Sequence, residues 1–152
     1  MIKPPVTLFH PTYVVSYATV DSEVKYMDRR NLNVGGEWLG EVPNLAICKD
    51  VNRSKYFLSH CNEEWESLCS VQEAETEQEI KETAEGYYLG IRSKWINTSY
   101  SSTEAKQIFR DQENKMRCSF CDNSLYDNYY QSLVQGKKAN ICNVCIQEFS
   151  EG

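Results

Sequence analysis

Residues 12–20, TYVVSYATV, are β-branched and aromatic, and after Asp21-Ser22 the run EVKYM follows. This pattern predicts a β-hairpin. In the next stretch, RRNLNVGGEWLGEVPNL, Gly35, Gly36, Gly40 and Pro43 fall so close together that a shaped loop without regular structure is expected. Trp38 and Leu39 are interleaved with these breakers. Either they pin the loop to the core, or the loop is a recognition element that presents an aromatic anchor. Residues 45–49 form a short apolar piece whose type periodicity does not decide. The runs KYFLSHC and WESLC alternate on either side of NEE, which predicts a second hairpin and a sheet of about four strands.

Residues 73–86, EAETEQEIKETAEG, are strong helix formers throughout, with Gly86 placed to end the helix. Ala74, Ile80 and Ala84 are its few apolar positions, so the expected helix buries a narrow stripe and exposes a wide polar surface. The segment YYLGIRSKWINTSY reads as a core-crossing strand or extended piece. Ser102-Thr103-Glu104 then opens a second helix that runs to about Asn114, with Ser or Thr as N-cap and Ala105, Ile108 and Phe109 on one face. Together these elements predict an α+β fold: an antiparallel sheet with two or more helices over residues 1–114, followed by a small zinc finger over 115–152. No Pro-, Gly- or Ser-rich linker separates the two, so the finger is expected to be docked.

A chain of 152 residues, 41% hydrophobic and 25% charged, with mean hydropathy −0.59, is long enough to build its own core. Its formal charge of −6 has the wrong sign for coating phosphate backbones, so nucleic acid is an unexpected partner. No stretch nears the ~18–20 apolar residues of a membrane span, and MIKPPVTLFHPTYVV lacks the apolar run and cleavage site of a signal peptide. A cytoplasmic protein with no membrane partner is the expectation. The charge is also unevenly placed. Between Asn62 and Gly86 stand nine glutamates and one lysine, a local balance of −8 that exceeds the total. Such a run reads either as a solvated helix face or as an acidic surface that steers a basic protein partner. On the second reading Glu73, Glu75, Glu79 and Glu82, with Trp38 of the glycine loop, are the candidate partner-binding residues.

The seven cysteines divide by spacing. Cys118 and Cys121 form one C-x2-C pair and Cys142 and Cys145 another, whereas Cys48, Cys61 and Cys69 are scattered and read as small buried hydrophobes. Four thiolates in two such pairs suit one tetrahedral, structural Zn2+. A closed sulfur shell leaves no position at which to activate water, so this metal is expected to hold structure and do no chemistry. Signatures of catalysis are otherwise missing from the chain. There is no phosphate loop, dinucleotide fingerprint, nucleophile elbow or H-E-x-x-H, and His10 and His60 lie near no acidic or nucleophilic motif. No catalytic residue is assigned, and the protein is expected not to be an enzyme.

The tail reads R-C-S-F-C-D-N-S, then S-L-V-Q-G-K-K-A-N, then I-C-N-V-C-I-Q-E-F. It resembles the N-terminal zinc-binding domain of the bacterial ClpX unfoldase, with Cys118, Ser119, Phe120, Cys121, Leu133, Gly136, Ile141, Cys142, Cys145 and Ile146 in matching places. The resemblance covers about a quarter of the chain. It implies a treble-clef-like finger in which Cys118, Cys121, Cys142 and Cys145 hold the zinc while Phe120, Leu133, Ile141 and Ile146 pack around it. In that family the domain dimerises and binds adaptors and substrates, so a protein-interaction module, with a homodimer through the finger as one form, is implied. Asp122 departs from the family's usual glycine, and no ATPase accompanies the finger, so unfoldase activity does not carry over. The remainder, with GGEWLGEVP, HCNEEW and AEGYYLGIRSKW, is similar to small bacterial proteins that end in such a finger.

Three functions follow as expectations. The first is a non-catalytic binding protein, of the kind that acts as an immunity protein by masking a basic bacterial toxin such as a nuclease. The alternative is an adaptor or regulator of a Clp-type unfoldase or protease. A nucleic-acid-binding regulator ranks last, because residues 116–152 offer only Arg117, Lys137 and Lys138 against four acids and the charge of the thiolates.

Overall fold

Every residue from Asn44 to Cys48 is buried, an uninterrupted run that only a strand covered on both faces can accommodate. In the computed structural model, which describes residues 2–28, 32–115, 133–135 and 140–151, this run is β5 (Asn44–Asp50), at the centre of a five-stranded sheet. β1 (Thr12–Thr19) pairs antiparallel on one side of it. β6 (Tyr56–Cys61) and then β7 (Ser67–Ala74) pair antiparallel on the other. The two-residue β9 (Ile96–Asn97) closes the far edge against Ser16 and Tyr17 of β1. The protein is thus α+β, as expected. The apolar piece at 45–49 escaped typing by periodicity because a doubly covered strand has none.

Alternation along β5 sorts the core into two layers. Leu45 and Ile47 join Leu58, Ile80, Ala84, Tyr88 and Ile91 on one face, while Ala46 and Cys48 join Val14, Tyr17, Cys61 and Trp65 on the other. The first face is covered by α1 (Glu77–Tyr87), which inserts Ile80 and Ala84. The second is covered by the N-terminal segment with Leu8 and Phe9, tied down by Trp65 Nε1 donating to the Ile2 carbonyl (3.1 Å) and the Tyr100 hydroxyl donating to the Pro4 carbonyl (2.6 Å). A β-bulge at Val15 shifts the register of β1, so that Val14 and Tyr17 can both face this layer.

Several expected elements are corrected by their pairing. The 12–20/EVKYM hairpin does not form: β2 is only Lys25–Tyr26 and pairs with β8 (Tyr88–Leu89), because β5 and β9 already occupy both edges of β1. Asp21 turns the chain away by accepting from the Glu23 and Val24 amides. The glycine loop contains a hairpin of its own, β3 (Asn33–Val34) and β4 (Glu37–Trp38), joined through Gly35 and Gly36 at φ 62° and 89°. Two successive positive φ values are what a two-residue turn of the right twist demands. The second hairpin is present as β6–β7, but Trp65 stands in its loop at φ 64° while Asn62 Oδ1 accepts from the Glu64 and Glu66 amides.

The acidic helix begins later than expected. Residues 73 and 74 finish β7, and Thr76 caps α1 by accepting from the Glu79 amide at 3.2 Å. Gly86 lies inside the last turn, and the amide of Tyr88 closes the helix on the Ala84 carbonyl. Thr76→Ala is therefore expected to lower stability by about 1 kcal/mol in urea unfolding, with Thr76→Ser restoring most of it. The segment 87–100 is neither one strand nor extended. It breaks at Gly90 (φ 97°), where an added Cβ would stand 3.0 Å from the Glu23 carbonyl oxygen, passes through a single 3-10 turn at Ile91–Ser93, and reaches β9.

The second helix, α2 (Ser102–Lys115), matches its expected span. Ser101 is its cap, accepting from the Glu104 amide at 3.2 Å. By packing, the chain divides into two compact units, residues 1–105 and 106–152. Of the second unit's remaining elements, β10 (Leu133–Gln135) pairs antiparallel with β11 (Asn140–Cys142), and α3 (Asn143–Glu151) follows at once.

Candidate metal centre and candidate interface

Two of the four proposed zinc ligands are placed by this hairpin and helix. Cys142 is the last residue of β11, opposite Leu133, and Cys145 stands in the first turn of α3. Both thiols are buried. A helix N-terminus favours the thiolate form, the form that binds metal. A buried pair of soft donors three residues apart at a strand–helix junction fits half of a tetrathiolate zinc shell. Cys118 and Cys121 lie outside the described residues, as does Phe120. Ile141 is half-buried, and Ile146, expected to pack around the metal, is 39% exposed. Asn140 ties the start of β11 to the end of α2 by donating to the Lys115 carbonyl at 3.0 Å.

The four candidate glutamates, all expected within the helix 73–86, are spread over a strand, a connection and a helix. Glu73 ends β7, Glu75 precedes the cap, and only Glu79 and Glu82 of the four candidates stand on α1, one turn apart; all four are exposed. Lys55, from outside the run, places its ammonium 3.4 Å from Glu73 and 4.0 Å from Glu75. Other carboxylates are committed to the fold. Glu77 accepts from Ser16 Oγ (2.5 Å) and faces Lys81 (3.6 Å), while Glu85 accepts from the amides of Gly90 (2.8 Å) and Arg92 (2.9 Å). Glu79 and Glu82 carry no ion pair among the described residues.

The glycine loop divides the two roles expected of it between neighbours. Leu39 packs against the core, whereas Trp38 is 69% exposed, so the expected pinning belongs to Leu39 alone. Trp38's neighbours Leu39 and Gly40 border Tyr87 and Tyr88 at the end of α1, whereas Glu75 and Glu79 flank the helix start.

Sequence reasoning missed a buried polar cluster under this hairpin. His60, expected at a strand end, lies within β6 opposite Leu45 and Cys69 and is 1% exposed. Its ring stands edge-on to Tyr87 at 5.6 Å and 6.4 Å from the ring of Tyr88, which in turn packs on Tyr26 at 5.3 Å. Burial holds the imidazole neutral and lowers its pKa to about 4. Tyr88 Oη accepts from the Val42 amide (2.9 Å), and Gln72 Nε2 donates to the Tyr87 hydroxyl (3.1 Å). The lone signal in the sequence was a histidine flanked by apolar strand residues. The scattered thiols match their expectation at Cys48 and Cys61, which are buried; burial pushes Cys61 up to about 11 and Cys48 higher still. Cys69 is half-buried.

Among the described residues no helix is long and apolar enough to cross a membrane. Comparisons with protein-family models, with curated proteins and with solved structures gave no match to this chain.

Proposed function

We propose that this chain is a non-catalytic, zinc-containing protein that binds a basic protein partner in the cytoplasm, and specifically an immunity protein that neutralises a basic bacterial toxin such as a nuclease. The observation that carries the reading is the pair Glu79 and Glu82, exposed on one face of α1 and in no ion pair among the described residues. Carboxylates left in this state create a field that raises the encounter rate with a cationic surface. Trp38, exposed on a short hairpin, offers the aromatic anchor that interfaces favour. The zinc, held by Cys118, Cys121, Cys142 and Cys145 in a ClpX-type finger, would order the second unit and supply no catalytic step.

The placement of Cys142 and Cys145 at a strand–helix junction favours a second reading, an adaptor or regulator of a Clp-type unfoldase or protease, in which the finger is the interface or dimerises. The two readings part on which surface matters. With a partner captured on the full chain, Glu79→Lys combined with Glu82→Lys is expected to slow association about tenfold at low salt and to flatten its salt dependence. Glu75→Lys should do less, because Lys55 already faces Glu75. Unchanged association kinetics in the double variant, with binding lost in Cys142→Ser, would move the interface to the finger.

A further inference from the structure

β7 is the outer strand of the five-stranded sheet, eight residues long and without proline, glycine or lysine. The sheet's opposite edge is closed: β9 pairs with Ser16 and Tyr17, the Thr98 amide donates to the Val15 carbonyl (3.0 Å), and the Val14 amide donates to the Val6 carbonyl (2.9 Å). At β7 the sheet ends differently. Its inner side pairs with β6, regularly from Gln72 to Ala74 and with register shifts beside His60, and no described strand lies beyond it. None of its described side chains is buried, and Leu68 and Glu73 are exposed. An outer strand of this length presents a row of amides and carbonyls that can take up one more strand.

Charge decides what that strand is. The turn that leads into β7 carries Glu63, Glu64 and Glu66, all exposed and in no ion pair among the described residues. Glu73 and Glu75 stand at the far end, where Lys55 faces both (3.4 and 4.0 Å). Five carboxylates and one ammonium thus flank the edge, a balance of −4. A second copy pairing antiparallel about Ser70 and Val71 would set Glu66 of one chain against Glu75 of the other, twice over, and like charges so placed disfavour self-pairing.

We propose that the outer edge of β7 takes up, by strand addition, an extended segment of a protein partner that carries lysine or arginine at both ends. Main-chain hydrogen bonds supply the affinity, and the flanking glutamates select a basic strand. The proposal rests on the reading of the chain as a binder of a basic protein for the source of that strand, and adds how it is held.

The probe is a capped eight-residue peptide, alternating threonine and valine at its centre with Lys-Arg at each end, titrated into the full chain and followed by amide NMR shifts and hydrogen exchange. Saturable shifts centred on residues 66–75 are expected at about 0.1–1 mM, with amide exchange slowed along β7. Methylating the four central peptide nitrogens keeps every charge but removes the main-chain donors, so binding should weaken at least about tenfold. Glutamates in place of the terminal Lys-Arg pairs should abolish it. Leu68→Arg, at an exposed position, should melt with the parent and bind the basic peptide about tenfold more weakly. Equal binding by the methylated or the glutamate peptide, shifts at Glu79 and Glu82 in place of β7, or no saturation would overturn the proposal. So would a dimer of the chain alone in sedimentation that perturbs residues 67–74, which would make a second copy the occupant. No partner protein is present in these titrations, so their failure leaves the charge-reversal test of the acidic helix standing, and unchanged kinetics in that test leave the peptide result intact.

Discussion

Stripping the metal from the purified chain with a zinc chelator is expected to release one equivalent of Zn2+ and to unfold the second unit while the five-stranded sheet persists. The reason lies in what each unit buries. Residues 1–105 hold two apolar layers on either side of β5, with Leu45, Ile47, Leu58, Ile80 and Tyr88 fully enclosed. In the second unit Cys142 and Cys145 are buried together where β11 meets α3. A unit as short as residues 106–152 builds too small an apolar core to offset the entropy of ordering β10, β11 and α3 by hydrophobic burial alone. Metal binding would supply that free energy, on the order of ~10 kcal/mol or more. Chelation should therefore abolish the near-ultraviolet and amide-exchange signatures of the tail, and Cys142→Ser or Cys118→Ser should reproduce the effect without chelator. The proposal for a structural zinc fails if the protein carries less than about half an equivalent of metal and both variants leave the tail ordered.

How far the sequence revealed this fold depended on whether each element carries its own periodicity. β1, the β6–β7 hairpin and α2 were legible because a β-branched and aromatic run, alternation about a polar turn, and hydroxyl residues ahead of an apolar helical face are local signals, although the cap itself is Ser101. β5 was not, since a strand buried on both faces loses alternation. The start of α1 was misplaced because Glu73 and Ala74 have helix propensity yet complete the β7 ladder opposite Phe57 and Tyr56. Tertiary pairing outweighs a propensity difference of a few tenths of a kcal/mol. The same non-local logic governs the candidate site. Cys142 and Cys145 announced themselves by spacing, and Trp38 by its setting among glycines. Lys55, which faces two of the four candidate glutamates, lies some twenty residues away and could be found only once β6 and β7 were paired. The His60–Tyr26–Tyr88 cluster was equally hidden, for its members come from three separate strands.

That cluster should make the first unit sensitive to mild acid. His60 is neutral in the fold with its pKa lowered to about 4, whereas an unfolded histidine titrates near 6.5. Between these values the unfolded chain takes up a proton that the folded chain refuses, so stability is fully present above pH 6.5 and falls as the pH drops toward 4. Below pH 4 both states are protonated and this contribution is exhausted. The linkage amounts to about 2 kcal/mol lost at pH 5 and about 3 kcal/mol in total. The titratable groups facing the imidazole are the phenols of Tyr26, Tyr87 and Tyr88 and the Cys69 thiol opposite on β7, none of which offers a negative charge in acid to hold an imidazolium. Urea midpoints measured at pH 7 and pH 5 read the effect, and His60→Gln supplies the control, because it keeps a polar side chain but cannot titrate. The difference between the two proteins isolates His60 from the carboxylates that protonate at lower pH. An equal acid response in both would mean that the folded imidazole takes up its proton as readily as the unfolded one, so that burial does not hold it neutral at pH 5.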